Sequence, residues 1–128
     1  IQDARVLLID NVGLLSRLYR YGEFAFVGGG FVQGLHNILE AACYGIPVFF
    51  GDQAYQKFQE AVDLAEQGGA FPIHDLNDIN EKFRRLHEQP GALTEAAKVT
   101  RQYVEKNLGA TDKIVRYCEA ILQAWKAA

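Results

Sequence analysis

Three consecutive glycines, Gly28-Gly29-Gly30, follow the apolar run Phe24-Ala25-Phe26-Val27, and His36-Asn37-Ile38-Leu39-Glu40-Ala41-Ala42 comes soon after. Anion binding is the chemistry such a stretch offers. Glycine allows close approach to the main chain and tolerates positive φ. A helix N-terminus adds unpaired N–H donors and partial positive charge. Asn37 and Glu40 are three residues apart, on one face of a helix predicted from about Leu35 to Tyr44. A carboxylate at the mouth of a parallel-sheet crevice can accept hydrogen bonds from a ribose diol, and the Asn37 amide can both donate and accept. His36, on the first turn, either donates to a phosphate or packs. The same residues also fit a tight strand-to-helix turn, a surface carboxylate and a first-turn asparagine. No Gly-Lys-Ser/Thr follows, so the loop is not a Walker A motif, and the spacing of Gly28, Gly30 and Gly34 is not G-x-G-x-x-G.

Other candidates carry less. Ser16, the sole serine, lies mid-helix without a G-x-S-x-G elbow. His87-Glu88 lacks the second histidine of a zinc helix, and His74 stands alone in a loop, so no metal site is expected. Asp52, at a strand end, either faces the crevice or is a solvated loop aspartate. Cys43 and Cys118 lack metal or redox spacing and are read as buried, reduced thiols. No catalytic base is paired with a nucleophile. The stretch reads as able to bind but not equipped to react.

The elements around these residues alternate. Val6-Leu7-Leu8-Ile9 is a continuous apolar run, as in a parallel strand buried on both faces. Asp10 or Asn11 is placed to cap a helix carrying Leu14, Leu15, Leu18 and Tyr19. After the glycine strand and its helix, Gly45 provides a C-terminal cap and Pro47 opens the next strand, through Phe50. A helix with Phe58, Ala61, Val62 and Ala65 on one face stops at Gly68-Gly69. Ala70-Phe71-Pro72-Ile73 is a short strand, placed at an edge by its proline. Asp75 caps the next helix, whose apolar face is Leu76, Ile79, Phe83 and Leu86. Two helices follow, about Leu93 to Lys106 and Asp112 to Trp125, the last with Ile114, Cys118, Ile121, Leu122 and Trp125 inward.

This order predicts an α/β fold, a partial Rossmann-like domain of about four mainly parallel strands flanked by helices, with a helical C-terminus. Ligands of such sheets bind beyond the carboxyl ends of the strands. Composition agrees with a folded core: 49% of the 128 residues are hydrophobic and 12% aromatic. A net charge of −3 gives no footprint for nucleic acid. No apolar run reaches the ~20 residues of a membrane span, and the chain is expected to be cytoplasmic. Because Val6 comes so early and no opening methionine is present, the sequence is expected to be a piece of something longer.

At Leu7 to Leu15, Tyr21-Gly22, Ala25 to Gly30, Gly34, His36 to Ala42, Gly45 to Val48 and Gly51, the sequence resembles the 3-deoxy-D-manno-octulosonic acid (Kdo) transferases of lipopolysaccharide synthesis. These are two-domain glycosyltransferases of the GT-B kind. The likeness is good as far as about Asp75; beyond it the helices fit only in placement. It implies that residues 1–128 are the later part of the C-terminal, nucleotide-sugar-binding domain, without its first strand-helix units or the N-terminal acceptor domain. That family transfers Kdo from CMP-Kdo to a lipid A precursor at the inner face of the bacterial inner membrane, with inversion and without a metal or other cofactor. The resemblance puts Gly13, Leu14 and Leu15 by the cytosine and Gly28, Gly29, Gly30 and Asn37 by the phosphate and sugar, with His36 also among the donor-binding residues. Glu40 would hold the ribose hydroxyls. The family's general base lies in the N-terminal domain, so no catalytic residue is expected here.

Two positions depart from the family pattern: Asp52, where proline commonly follows the glycine, and Lys57-Phe58, where Asn-Phe is common. The latter leaves a sugar contact open. In the usual strand order, 3-2-1-4-5-6, Val6–Ile9 would be the third strand and the glycine strand the fourth, with two strands absent between them. Either Val6–Ile9 moves in beside the glycine strand, or open edges pair between chains to give a homodimer. A GT-B enzyme using a UDP-sugar and a non-catalytic nucleotide-binding or interaction module are the alternatives.

Overall fold

The computed structural model describes residues 4–32 and 34–127. Its centre is a three-stranded parallel sheet in the order β1-β2-β3, made of β1 (Ala25–Phe26), β2 (Val48–Gly51) and β3 (Ala70–Ile73). Ala25 is in register with Val48, and Gly51 with Ile73. All four residues of β2 are buried, as a central parallel strand with both faces covered requires. Pro72 sits in β3 at the sheet edge, where its missing N–H breaks no ladder.

One face of the sheet is covered by α2 (Leu39–Ala42) and α3 (Gln59–Gln67), which bury Ile38, Ala41, Ala42, Ala61 and Leu64 against Val48 and Phe50. The other is covered by α4 (Leu76–Glu88), with Leu86, Phe49 and Ile73 at its centre and Phe24 tilted against Phe83 at 4.8 Å. Fully burying each of these large side chains contributes about 1.5–3 kcal/mol. The Asp75 carboxylate accepts from Asn77 N (2.8 Å) and Asp78 N (2.9 Å) and so starts α4 as expected. Gly68, at φ 83°, ends α3. The helix α5 (Ala92–Asn107) packs on α2, α3 and α4, and α6 (Ala110–Ala127) ends the fold.

Several expectations are corrected. The sheet has three strands among the described residues, not about four. Val6–Ile9 forms no strand: Val6, Leu7 and Leu8 are 84%, 78% and 87% exposed, because nothing lies beside them to complete a ladder. No side chain caps α1 (Leu15–Leu18), whose N-cap is Leu14 instead of Asp10 or Asn11. The predicted Leu35–Tyr44 helix is only Leu39–Ala42, so His36 and Asn37 precede it; Gly45 still closes the turn that follows, at φ 72°. Leu76 is exposed, and it is Leu64 of α3 that is fully buried. The face of α6 expected to point inward is exposed at Ile114, Cys118, Ile121, Leu122 and Trp125, since no other element packs on it among the described residues. Cys43 is also exposed, so neither cysteine is a core thiol.

Candidate functional site

A crevice of about 430 Å³ opens beside β1, at the carboxyl end of the strand. Its floor is Phe26, Val27 and Gly28. One wall is formed by Leu15 of α1 and Tyr19, and the opposite wall by His36, Asn37 and Glu40. Of the residues singled out from the sequence, Leu15, Gly28, His36, Asn37 and Glu40 are brought together here. Gly13, Leu14, Gly29 and Gly30 are not in its lining.

The reason at Gly29 and Gly30 is steric. Both have positive φ, 90° and 81°. A Cβ on Gly29 would come within 2.5 Å of the Gly34 carbonyl oxygen, and one on Gly30 would collide with the Gly51 carbonyl. Their own carbonyls are occupied, accepting from Gly51 N (3.2 Å) and Gln53 N (2.7 Å). These two glycines let the turn pack against β2 and the loop before α2. Gly28 is different: a Cβ there would meet only the His36 ring, at 3.7 Å. Among the described residues, the amides of Gly28, Gly29 and Gly30 donate to no acceptor.

Opposite the turn, Asn37 Oδ1 accepts from Leu39 N (3.0 Å) and so initiates α2. Its Nδ2 reaches Glu40 Oε1 at 3.4 Å and orients the carboxylate along the crevice wall. Glu40 is half-buried and close enough to Tyr19 to act on it electrostatically. Burial first, and the Glu40 charge second, push the Tyr19 hydroxyl above its ordinary pKa, so it stays a neutral donor. The crevice therefore presents two amide or hydroxyl donors, a carboxylate and an imidazole, with Leu15 on a wall and Phe26 on the floor as apolar surfaces suited to a flat ring.

A second group at the strand ends escaped the sequence reading. His74 Nδ1 lies 3.0 Å from Asp52 Oδ2, although the two are 22 residues apart. Asp52 Oδ1 is buried with no hydrogen-bond partner among the described residues. The only local sign was the position of each residue directly after a strand. No group of three metal-ligating side chains occurs among the described residues. No helix there is long and apolar enough to cross a membrane.

No family model matches the chain. Individual relatives do. It is 37% identical over 82 residues to the 3-deoxy-D-manno-octulosonic acid transferase of Aquifex aeolicus, covering 63% of this chain and 23% of that protein. The Haemophilus influenzae transferase of the same name is 28% identical over 127 residues, covering 84% of this chain and 30% of the relative. By sequence the chain is similar to part of the 3-deoxy-D-manno-octulosonic acid transferases. A bifunctional glycosyltransferase/methyltransferase of Fusobacterium nucleatum is 40% identical over 85 residues, covering 66% of this chain and 13% of that protein. The chain thus spans less than a third of the length of these Kdo transferase relatives. The fold agrees. The crystal structure of the C-terminal CMP-Kdo binding domain of WaaA from Acinetobacter baumannii superposes with a TM-score of 0.59 at 23% identity, over 72% of this chain and 51% of that one. The architecture is that of a partial GT-B C-terminal domain.

Proposed function

We propose that this chain is the donor-binding part of a Kdo transferase and that it holds CMP-Kdo in the crevice beside β1. One observation carries the reading: the folded chain converges Gly28, His36, Asn37 and Glu40 on a single crevice at the carboxyl end of a parallel strand. The amides of the glycine turn and the His36 ring serve the phosphate. Glu40, oriented by Asn37, accepts from the ribose hydroxyls. Leu15 walls the cytosine side, with Gly13 and Leu14 just before it in the chain. The donor needs no metal or other cofactor in this reading, and no residue here acts as general base. The base, the lipid A precursor and the contact with the inner face of the membrane belong to the parent protein outside this chain.

Calorimetric titration of the chain with CMP, UMP and UDP, with Glu40→Ala alongside, tests this. CMP-selective binding that weakens about tenfold or more in the variant is the expected result. A preference for UDP overturns the Kdo assignment in favour of a UDP-sugar enzyme. Nucleotide binding without any transfer by the parent protein would support a non-catalytic module.

Self-association is part of the proposal. The unpaired outer edge of β1 and the exposed Val6–Ile9 run support homodimerisation by strand exchange. Sedimentation should find a dimer that Leu7→Asp converts to monomer. A monomeric parent chain would refute it.

A further inference from the structure

We propose that Asp52 and His74 form a polar subsite that accepts hydrogen bonds from neighbouring hydroxyls of the sugar on the nucleotide bound beside β1. The inference rests on the donor-binding reading of the crevice and names what lies at the far end of that ligand. The parallel register pairs Gly51 with Ile73, so the next residues, Asp52 and His74, leave adjacent strands side by side. Asp52 N donates to Ile73 O at 3.1 Å, and His74 Nδ1 and Asp52 Oδ2 are 3.0 Å apart. The His74 backbone is clamped in turn: its N–H donates to Asp78 Oδ2 (2.9 Å), and Lys82 Nζ ties Asp78 to the Pro72 carbonyl (2.6 Å).

This arrangement selects the chemistry. When the imidazole is neutral, a carboxylate at Nδ1 favours the tautomer with its proton there, which leaves Nε2 as an acceptor on a ring whose side chain is 70% exposed. Asp52 Oδ2, on a side chain 32% exposed, keeps a free lone pair beside the imidazole and is a second acceptor, whereas Oδ1 is fully buried and out of a ligand's reach. Two adjacent acceptors match a pair of neighbouring hydroxyls. The charged groups around His74 are Asp52, Asp75, Asp78 and Lys82. Three carboxylates against one ammonium disfavour an anion and favour the uncharged polyol part of a ligand.

The position fits the length of the donor. Asp52 lies between Gly51, whose main chain packs directly on Gly30, and Gln53, whose N–H donates to Gly30 O at 2.7 Å. It therefore adjoins the glycine turn. From β1 to β3 is two strand spacings, about 10 Å, a distance that a phosphate and its sugar together cover.

The test is calorimetric titration of the full chain with CMP and with freshly prepared CMP-Kdo, using the parent, Asp52→Ala and His74→Phe. The parent should bind CMP-Kdo about tenfold more tightly than CMP, and each variant should shrink that gap to about threefold or less with CMP affinity unchanged. Equal affinities in the parent, or a gap that survives both substitutions, overturn the subsite while leaving the crevice reading intact. Absence of any nucleotide binding by the parent overturns the crevice reading, and the subsite with it. Nitrogen NMR of the imidazole gives a second readout: the Nδ1–H tautomer at His74 is expected, lost in Asp52→Ala, and an Nε2–H tautomer in the parent refutes the arrangement.

Discussion

Replacing Gly30 by alanine isolates the packing role of the glycine turn. At φ 81° an alanine costs about 1–2 kcal/mol in the left-handed region. The added methyl would also strike the Gly51 carbonyl, and because both partners are main chain no side chain can rotate aside. Relief requires the turn to lift from the end of β2. That stretches the bonds from Gln53 N to Gly30 O (2.7 Å) and from Gly51 N to Gly29 O (3.2 Å), each contributing about 0.5–1.5 kcal/mol. The total loss is about 2–5 kcal/mol, a large share of the stability of a small domain. Gly28→Ala is the matched control. Its φ is not positive and its new methyl meets only the His36 ring at 3.7 Å, so stability should change by less than about 0.5 kcal/mol. The methyl would instead occupy crevice space and weaken CMP binding. Urea denaturation followed by circular dichroism measures both. A Gly30→Ala chain within about 0.5 kcal/mol of the parent would refute the reasoning.

Tyr103→Phe should destabilise the chain by about 1–2 kcal/mol, because Tyr103 Oη donates to Asp63 Oδ2 at 2.9 Å between α5 and α3. Burial, then that bond, pushes the Tyr103 pKa up to about 12. The phenol's contribution is therefore complete below the unfolded value of 10 and lost as pH rises through 12, so parent and variant should converge in alkaline melts. Asp78→Asn should lower thermal stability at neutral pH. The Lys82 hydrogen bond, chiefly, holds the Asp78 carboxyl below its ordinary 3.8. Its contribution is present above that value and disappears as pH falls through the depressed one, so the two melting curves should meet in strong acid. Phe50→Ala, at a fully buried position between β2 and the α2/α3 layer, should cost about 3–5 kcal/mol by chemical denaturation.

Local signals were reliable where the physics is local. Asp75 caps α4 because its own carboxylate reaches the amides two and three residues on, those of Asn77 and Asp78. Pro72 falls on an edge strand because it lacks an N–H, and Gly68 ends α3 because it takes a left-handed φ. The unbroken apolar run of β2 required burial on both faces, which the fold provides. The Gly28, His36, Asn37 and Glu40 constellation was legible because one strand, one turn and one helix start hold it within a short stretch of chain.

Everything that depended on a distant surface was decided by the tertiary structure. Val6–Ile9 has the composition of a buried strand, yet a strand exists only with a neighbour to share its hydrogen bonds. The apolar side chains of α6 have helical spacing, but spacing says which residues share a face and not what covers it. Gly29 and Gly30 satisfy a ligand cradle and a tight backbone contact equally well as letters. Only the approach of Gly34 and Gly51 shows that packing requires them. Asp52 and His74 meet because the register of β2 on β3 aligns two strand ends, a pairing carried by main-chain hydrogen bonds and written in neither residue alone. The sequence by itself thus determined the element types, their order and the short-range crevice, and the three-dimensional packing decided which edges stay open and which remote side chains become neighbours.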